Sequence, residues 1–305
     1  MRTSTSVYVI GDIHGQFKKL ARLLREAGLV DDALAWASGN AALWFLGDFF
    51  DRGPDGIAVI DLVMRLQAEA AAAGGQVGAL LGNHEVLVLA AHRFGERETT
   101  MLDGSFLSVW RRNGGRAKDL IRLTHRHITW ITNLPAMVLV HDRLFVHADA
   151  TFYPNYGHSV AMVNWACKAV LQSAEVGAWE WLLGDFCERE AFDGQRVDGV
   201  GWAAQFLRIF GGRQLIHGHT PIAYVMQTPP RHVTSPLIYA GGLCINLDGG
   251  MYLDGSGFVY QLPQLDAAHG QRLVPACSYY SGPFVKHTRS ATYPCVRYGL
   301  NGRNA

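Results

Sequence analysis

Cysteine is scarce and poorly placed in this sequence. Its 305 residues hold five, at Cys167, Cys187, Cys244, Cys277 and Cys295, an odd number with no CxxC spacing. That excludes a disulfide-built scaffold and a structural zinc site made of thiolates. Reduced thiols are expected, with a Cys277–Cys295 pairing left open. Net charge is nearly absent as well, at +1, so no overall field draws the chain to nucleic acid or to a membrane. Any anionic ligand has to be held locally. No apolar run reaches the length of a membrane span. Met1–Ser6 leads into a strand-like run without the apolar core of a secretory signal. A cytoplasmic protein is expected, with neither nucleic acid nor membrane as a partner.

What the chain does have is a large core in prospect. Hydrophobic residues make up 49% and charged residues 17%, which is the balance of a folded globular chain. The run Val7-Tyr8-Val9-Ile10 reads as a strand and ends at Gly11-Asp12-Ile13-His14-Gly15. A helical spacing of Phe17, Leu20, Leu23, Leu24 and Ala27 follows. A second strand, Leu43–Leu46, ends at Gly47-Asp48-Phe49-Phe50-Asp51-Arg52-Gly53, and a helix is expected from Ile57 to about Ala73. A third strand, Val77–Leu81, ends at Gly82-Asn83-His84-Glu85 and passes into a helix at Val86–Ala91.

Asp12, Asp48 and Asn83 thus lie about 35 residues apart, one βαβ repeat of chain. Such repeats set parallel strands side by side and bring their polar C-terminal turns to one edge. Residues 94–135 carry scattered arginines and a Gly114-Gly115 break, and are expected to form a helical insertion. The arginines read as a solvated face, because no aromatic stripe accompanies them. A hairpin is expected at Met137–Val140 and Leu144–Val146, ending in His147-Ala148-Asp149. Residues 150–200 are expected to be helical. Gln214–Ile216 leads to His217-Gly218-His219-Thr220, and strands at Leu243–Leu247 and Phe258–Leu262 close the pattern around Asp248. Residues 1–262 read as one domain, and 263–305 as an aperiodic tail.

The polar tips offer Asp12, His14, Asp48, Asn83, His147 and His219 as candidate ligands. Carboxylate, imidazole and amide without thiolate suit divalent Mn, Fe or Zn. Asp51 is placed to orient a neighbouring acid or base, and Arg52 to clamp a phosphate. Two such cations sharing one carboxylate polarise phosphate oxygens and supply hydroxide near neutral pH.

The motifs GDIHG, GDFFDRG, GNHE, HAD and GHT, in that order, resemble the calcineurin-like metallophosphoesterases. The likeness is greatest to their phosphoprotein phosphatase branch, with its bacterial, phage and symmetrical diadenosine-tetraphosphatase-like members, and spans about residues 7–262. It implies a four-layer α/β/β/α sandwich with a helical insertion. It also implies two divalent metal ions: Asp12 and His14 on the first, Asp48 bridging, and Asn83, His147 and His219 on the second. His84 would be the general acid, held by Asp51, with Arg52 on the phosphate. His217 rivals His219, and the pattern favours the histidine before Thr220. Asp149 and Asp248 are either orienting groups or turn residues.

The resemblance implies a hydrolase for a phosphorylated protein, most simply a serine/threonine phosphatase. A dinucleoside polyphosphate or small phosphate ester is the alternative substrate. The family usually brings a second arginine from the segment before the last strand pair. Asp198–Ala204 contains none, and Arg196 and Arg208 flank it. Without that arginine the other class of function is a catalytically weak module that binds phosphorylated partners; the retained His84, Asp51 and Arg52 argue against it.

Overall fold

The computed structural model describes residues 5–193 and 198–263. The tail 264–305, with Cys277 and Cys295, lies outside them. In chain order the main elements are β1 (Val7–Ile10), α1 (Phe17–Glu26), β2 (Ala42–Phe45), α2 (Gly56–Ala72), β3 (Gln76–Ala79) and α3 (Asn83–Phe94). Three short helices follow, α4 (Phe106–Arg112), α5 (Ala117–Arg122) and α6 (His125–Thr132). Then come β4 (Met137–Val140), β5 (Arg143–Val146), α7 (Val160–Gln172), α8 (Val176–Phe186), α9 (Gly199–Phe210), β6 (Gln214–His217), β7 (Leu237–Tyr239), β8 (Cys244–Asn246) and β9 (Tyr260–Gln261).

The elements form two mixed sheets. The first has the order β3-β2-β1-β9, the second β4-β5-β6-β8-β7. β1, β2 and β3 are parallel, in register through Val9↔Trp44 and Trp44↔Gly78. In the second sheet β5, β6 and β8 run parallel. Between the sheets lies an apolar layer that includes Val7, Val9, Trp44, Leu46, Phe145, Ile216 and Ile245. α2 packs on β3, while α7 packs on β4 and α9 on β6. This is the expected α/β/β/α layering with its helical insertion.

Two details differ from the sequence reading. β7 has no counterpart in it: three residues with an exposed Ile238 at their centre give no alternation to detect. The final strand, expected over Phe258–Leu262, is only β9 at Tyr260–Gln261, and it joins β1 antiparallel in the first sheet. Cys167 and Cys244 are buried free thiols. Among the described residues no helix is long and apolar enough to cross a membrane.

Candidate metal centre

Both sheets deliver their ligands from strand C-termini. Asp12 follows β1, Asp48 follows β2, and Asn83 opens α3 just past β3. His147 follows β5, and His219 follows β6. The parallel runs bring all these ends to one edge, where Gly218 N–H donates to His147 O at 2.9 Å. All six expected ligands are buried, as are Asp51 and His84. The turns are conformationally costly. His14, Asp48, Asp51, Arg52 and His219 all have positive φ, between 47° and 69°. Non-glycine residues adopt this region only where their surroundings hold them there.

Glu85 does much of that holding. Its carboxylate accepts the N–H groups of Asp48 at 2.7 Å, Phe49 at 2.8 Å and Gly82 at 3.0 Å. Gly82 is needed because a Cβ there would lie 2.3 Å from Asp48 Oδ1. Sequence reading quoted Glu85 within GNHE but gave it no task; its place as the last residue of that motif was the available signal.

The ligands converge as two triplets that share one residue: His14, Asp48 and His84, and Asp48, His147 and His219. His14 Nδ1–H donates to Phe50 O and His147 Nδ1–H to Leu46 O, both at 2.8 Å. Each neutral ring then turns the Nε2 lone pair inward. His147 Nε2 lies 2.9 Å from Asn83 Oδ1, 3.0 Å from His219 Nδ1 and 3.4 Å from Asp48 Oδ1. Lone pairs facing lone pairs repel unless a proton or cation sits among them. Turning the Asn83 amide over would supply N–H donors to His147, His219 and Asp48; a cation would instead take the oxygen as drawn.

Asp12 Oδ1 accepts His219 N–H at 2.8 Å. Its Oδ2 is buried without a hydrogen bond, as are His219 Nε2 and Asp248 Oδ2. Such orphans are rare in folded proteins. Two divalent cations fit this donor set by charge and by ligand type.

The ionisation pattern agrees. Burial, then the neighbouring Asp248 and Asp48, pushes the Asp12 carboxyl well up. Burial pushes Asp248 up to about 7. Burial pushes His14, His147 and His219 down, so they are already neutral at pH 7. A carboxyl with a raised pKa keeps its proton to higher pH, and a protonated carboxyl is a poor ligand. Manganese affinity is therefore expected to fall on acidification, as Asp12 takes up its proton. Isothermal titration between pH 8 and pH 6 checks this, and an affinity that rises on acidification contradicts it.

Around the triplets sit the other groups. His84 Nδ1 is 2.6 Å from Asp51 Oδ2, and its Nε2 is 4.0 Å from Asp48 Oδ2. Arg52 Nη1 donates to His14 Nε2 at 2.7 Å. The Tyr252 ring lies under Arg52, 4.2 Å from Cζ to the centroid, and meets His14 edge-on at 4.8 Å. Sequence reading missed Tyr252, which falls in an irregular Gly-rich stretch.

The sequence offers Arg196 and Arg208 as the second phosphate arginine. Arg208 is exposed on α9, and Arg196 lies outside the described residues. Arg189 is the cation whose field reaches His219, His147 and Asp248. It sits just past α8, some ten residues before the segment searched. His217 is buried against Tyr239, with Nε2 2.8 Å from the phenol oxygen, and is not in either triplet. Asp149 accepts the Tyr239 hydroxyl at 2.7 Å and Glu190 N–H at 3.0 Å, which ties His217 and the Arg189 segment together.

The sequence profile described as calcineurin-like phosphoesterase matches residues 5–228. The chain belongs to that family. Shewanella-like protein phosphatase 2 of Arabidopsis thaliana is 35% identical over 78 residues, 26% of this chain and 20% of that protein. The symmetrical bis(5'-nucleosyl)-tetraphosphatase of Buchnera aphidicola is 28% identical over 149 residues, 49% of this chain and 45% of that protein. Both matches cover less than half of the relative's length. A cold-active protein-tyrosine phosphatase of a psychrophilic Shewanella superposes with a TM-score of 0.65 at 19% identity. The superposition covers 84% of this chain and 75% of that structure, and it speaks for the fold.

Proposed function

We propose that this calcineurin-like phosphoesterase is a two-metal phosphomonoesterase, acting on phosphoserine or phosphothreonine in proteins. The observation that carries the reading is Asp48, common to both ligand triplets. Asp12, His14 and Asp48 would hold one cation; Asp48, Asn83, His147 and His219 would hold the other. When bound, the pair supplies Lewis-acid polarisation and a nucleophile near neutral pH.

The chain's own residues do the rest. Arg52, with its guanidinium braced on Tyr252, grips phosphate oxygens. His84 also falls in the first triplet, but we assign it to the proton. Asp51 accepts its Nδ1–H, and in the imidazolium form the ring carries a second proton, on Nε2, for the leaving-group oxygen. Arg189 adds positive charge on the second-metal side. That weighs against a merely phosphate-binding module.

The substrate class rests on the protein phosphatase among its relatives. The longer alignment with a symmetrical tetraphosphatase favours a second reading, a dinucleoside polyphosphate hydrolase. Purified protein is expected to hydrolyse p-nitrophenyl phosphate with added manganese and to lose that activity in EDTA. Phosphopeptides are expected to outrun diadenosine tetraphosphate in kcat/KM. No turnover by manganese-loaded protein refutes the enzyme, and a large preference for the dinucleotide replaces the protein substrate.

A further inference from the structure

We propose that the helical insertion is a clamp on the Asp51–Arg52 pair, and that Trp110 is a positioning residue for leaving-group protonation. This rests on the assignment of His84 as general acid made above.

Asp51 is fully buried and both its carboxylate oxygens are engaged. Oδ2 faces His84 Nδ1 at 2.6 Å. Oδ1 accepts the Trp110 indole N–H at 2.8 Å, from a residue 59 positions away on α4. A carboxylate held at one oxygen still rotates about its Cβ–Cγ bond; held at both, it presents Oδ2 to His84 in one orientation. Trp110 is itself 1% exposed, so its N–H has no water as an alternative partner.

The same segment holds the backbone. Asp51 and Arg52 are consecutive residues at φ 68° and 62°. Two L-residues in that region cost free energy unless the neighbours bind them there. Arg52 N–H donates to Gly114 O at 2.8 Å, and Arg116 Nη2 donates to Arg52 O at 2.8 Å. Gly114 has φ +93°, and a Cβ on it would lie 2.9 Å from Arg52 N. A Cβ on Gly115 would lie 2.2 Å from the indole ring. The break at Gly114-Gly115 is thus where the insertion presses flat against both Trp110 and Arg52. A core-filling tryptophan needs none of this; its indole would serve as well on any carbonyl.

The decisive comparison is Trp110→Phe, which keeps an aromatic ring and removes the N–H. His84 matters most where the leaving group needs a proton, so loosening it should be felt by leaving-group pKa. We expect kcat to fall about tenfold on a phosphoserine peptide and on phenyl phosphate, by analogy with losing one hydrogen bond to a charged group. The fall on 2,4-dinitrophenyl phosphate should stay under about twofold, because that leaving group departs unprotonated. Bound manganese should be unchanged. In a His84→Asn background, Trp110→Phe should add no further leaving-group dependence.

A loss of the same factor on every substrate overturns the proposal and makes Trp110 a packing residue. If Trp110→Phe melts below the assay temperature, benzothienylalanine at position 110 keeps the bicycle, loses the N–H, and is read the same way. Wild-type turnover separates the two levels. With none, the phosphatase reading and this inference both fall; with turnover and a uniform loss, only this inference falls.

Discussion

Asp48→Asn is expected to lower p-nitrophenyl phosphate turnover by ~10³-fold and to reduce bound manganese from two ions per chain towards one, since a bridging ligand serves both cations and each is worth several kcal/mol to the transition state. The geometry behind this is that the two oxygens of Asp48 look in different directions. Oδ1 is 3.4 Å from His147 Nε2 and accepts His84 N–H at 3.1 Å. Oδ2 is 3.5 Å from His14 Nε2. An asparagine keeps the shape and one oxygen. It puts an NH2 where the other oxygen was, aimed at a lone pair meant for a cation. The fold should survive, because the substitution keeps the side chain's shape and removes a buried charge. Metal analysis by mass spectrometry, with a thermal melt of the metal-free protein, checks both halves. Two bound ions together with near-wild-type turnover would falsify the bridging role.

The contrast between Asp48 and Glu85 shows what the sequence carried. Asp12, Asp48 and Asn83 were legible because each ends a strand and the strands recur at one βαβ repeat, so a local pattern stood in for a spatial one. Their partners from the second sheet, His147 and His219, were legible only through the motif order, since nothing in the spacing says that two sheets share an edge. Glu85 was visible but its task was not. Its three backbone partners come from two different loops, and no periodicity reports a carboxylate that accepts only N–H groups. Trp110 and Arg189 were further out of reach. Trp110 sits at helical spacing among apolar residues, the signature of plain core, and Arg189 lies in a segment without pattern. Both matter through contacts or fields that depend on how α4 and α8 dock, and that docking is set by packing around Phe106 and Trp179.

His84→Asn is the second large effect, and its signature differs from that of Asp48→Asn. His84 lies at the start of α3, its ring pinned by Asp51 at 2.6 Å and met edge-on by His14 at 4.7 Å. Removing it would take away the proposed proton donor and leave Asp12, His14 and Asp48 for one cation and Asp48, Asn83, His147 and His219 for the other. Turnover of a phosphoserine peptide is expected to fall by about 10²–10³-fold, in the range that a positioned acid contributes. On 2,4-dinitrophenyl phosphate the loss should be several times smaller, and manganese content should stay at the wild-type value. If His84 were instead a metal ligand of the first triplet, the outcome inverts: manganese would be lost and every substrate would suffer alike. Measuring metal content and rate on the same preparation decides between the two, because only a proton donor can be dispensable for binding metal and still matter more as the leaving group becomes worse.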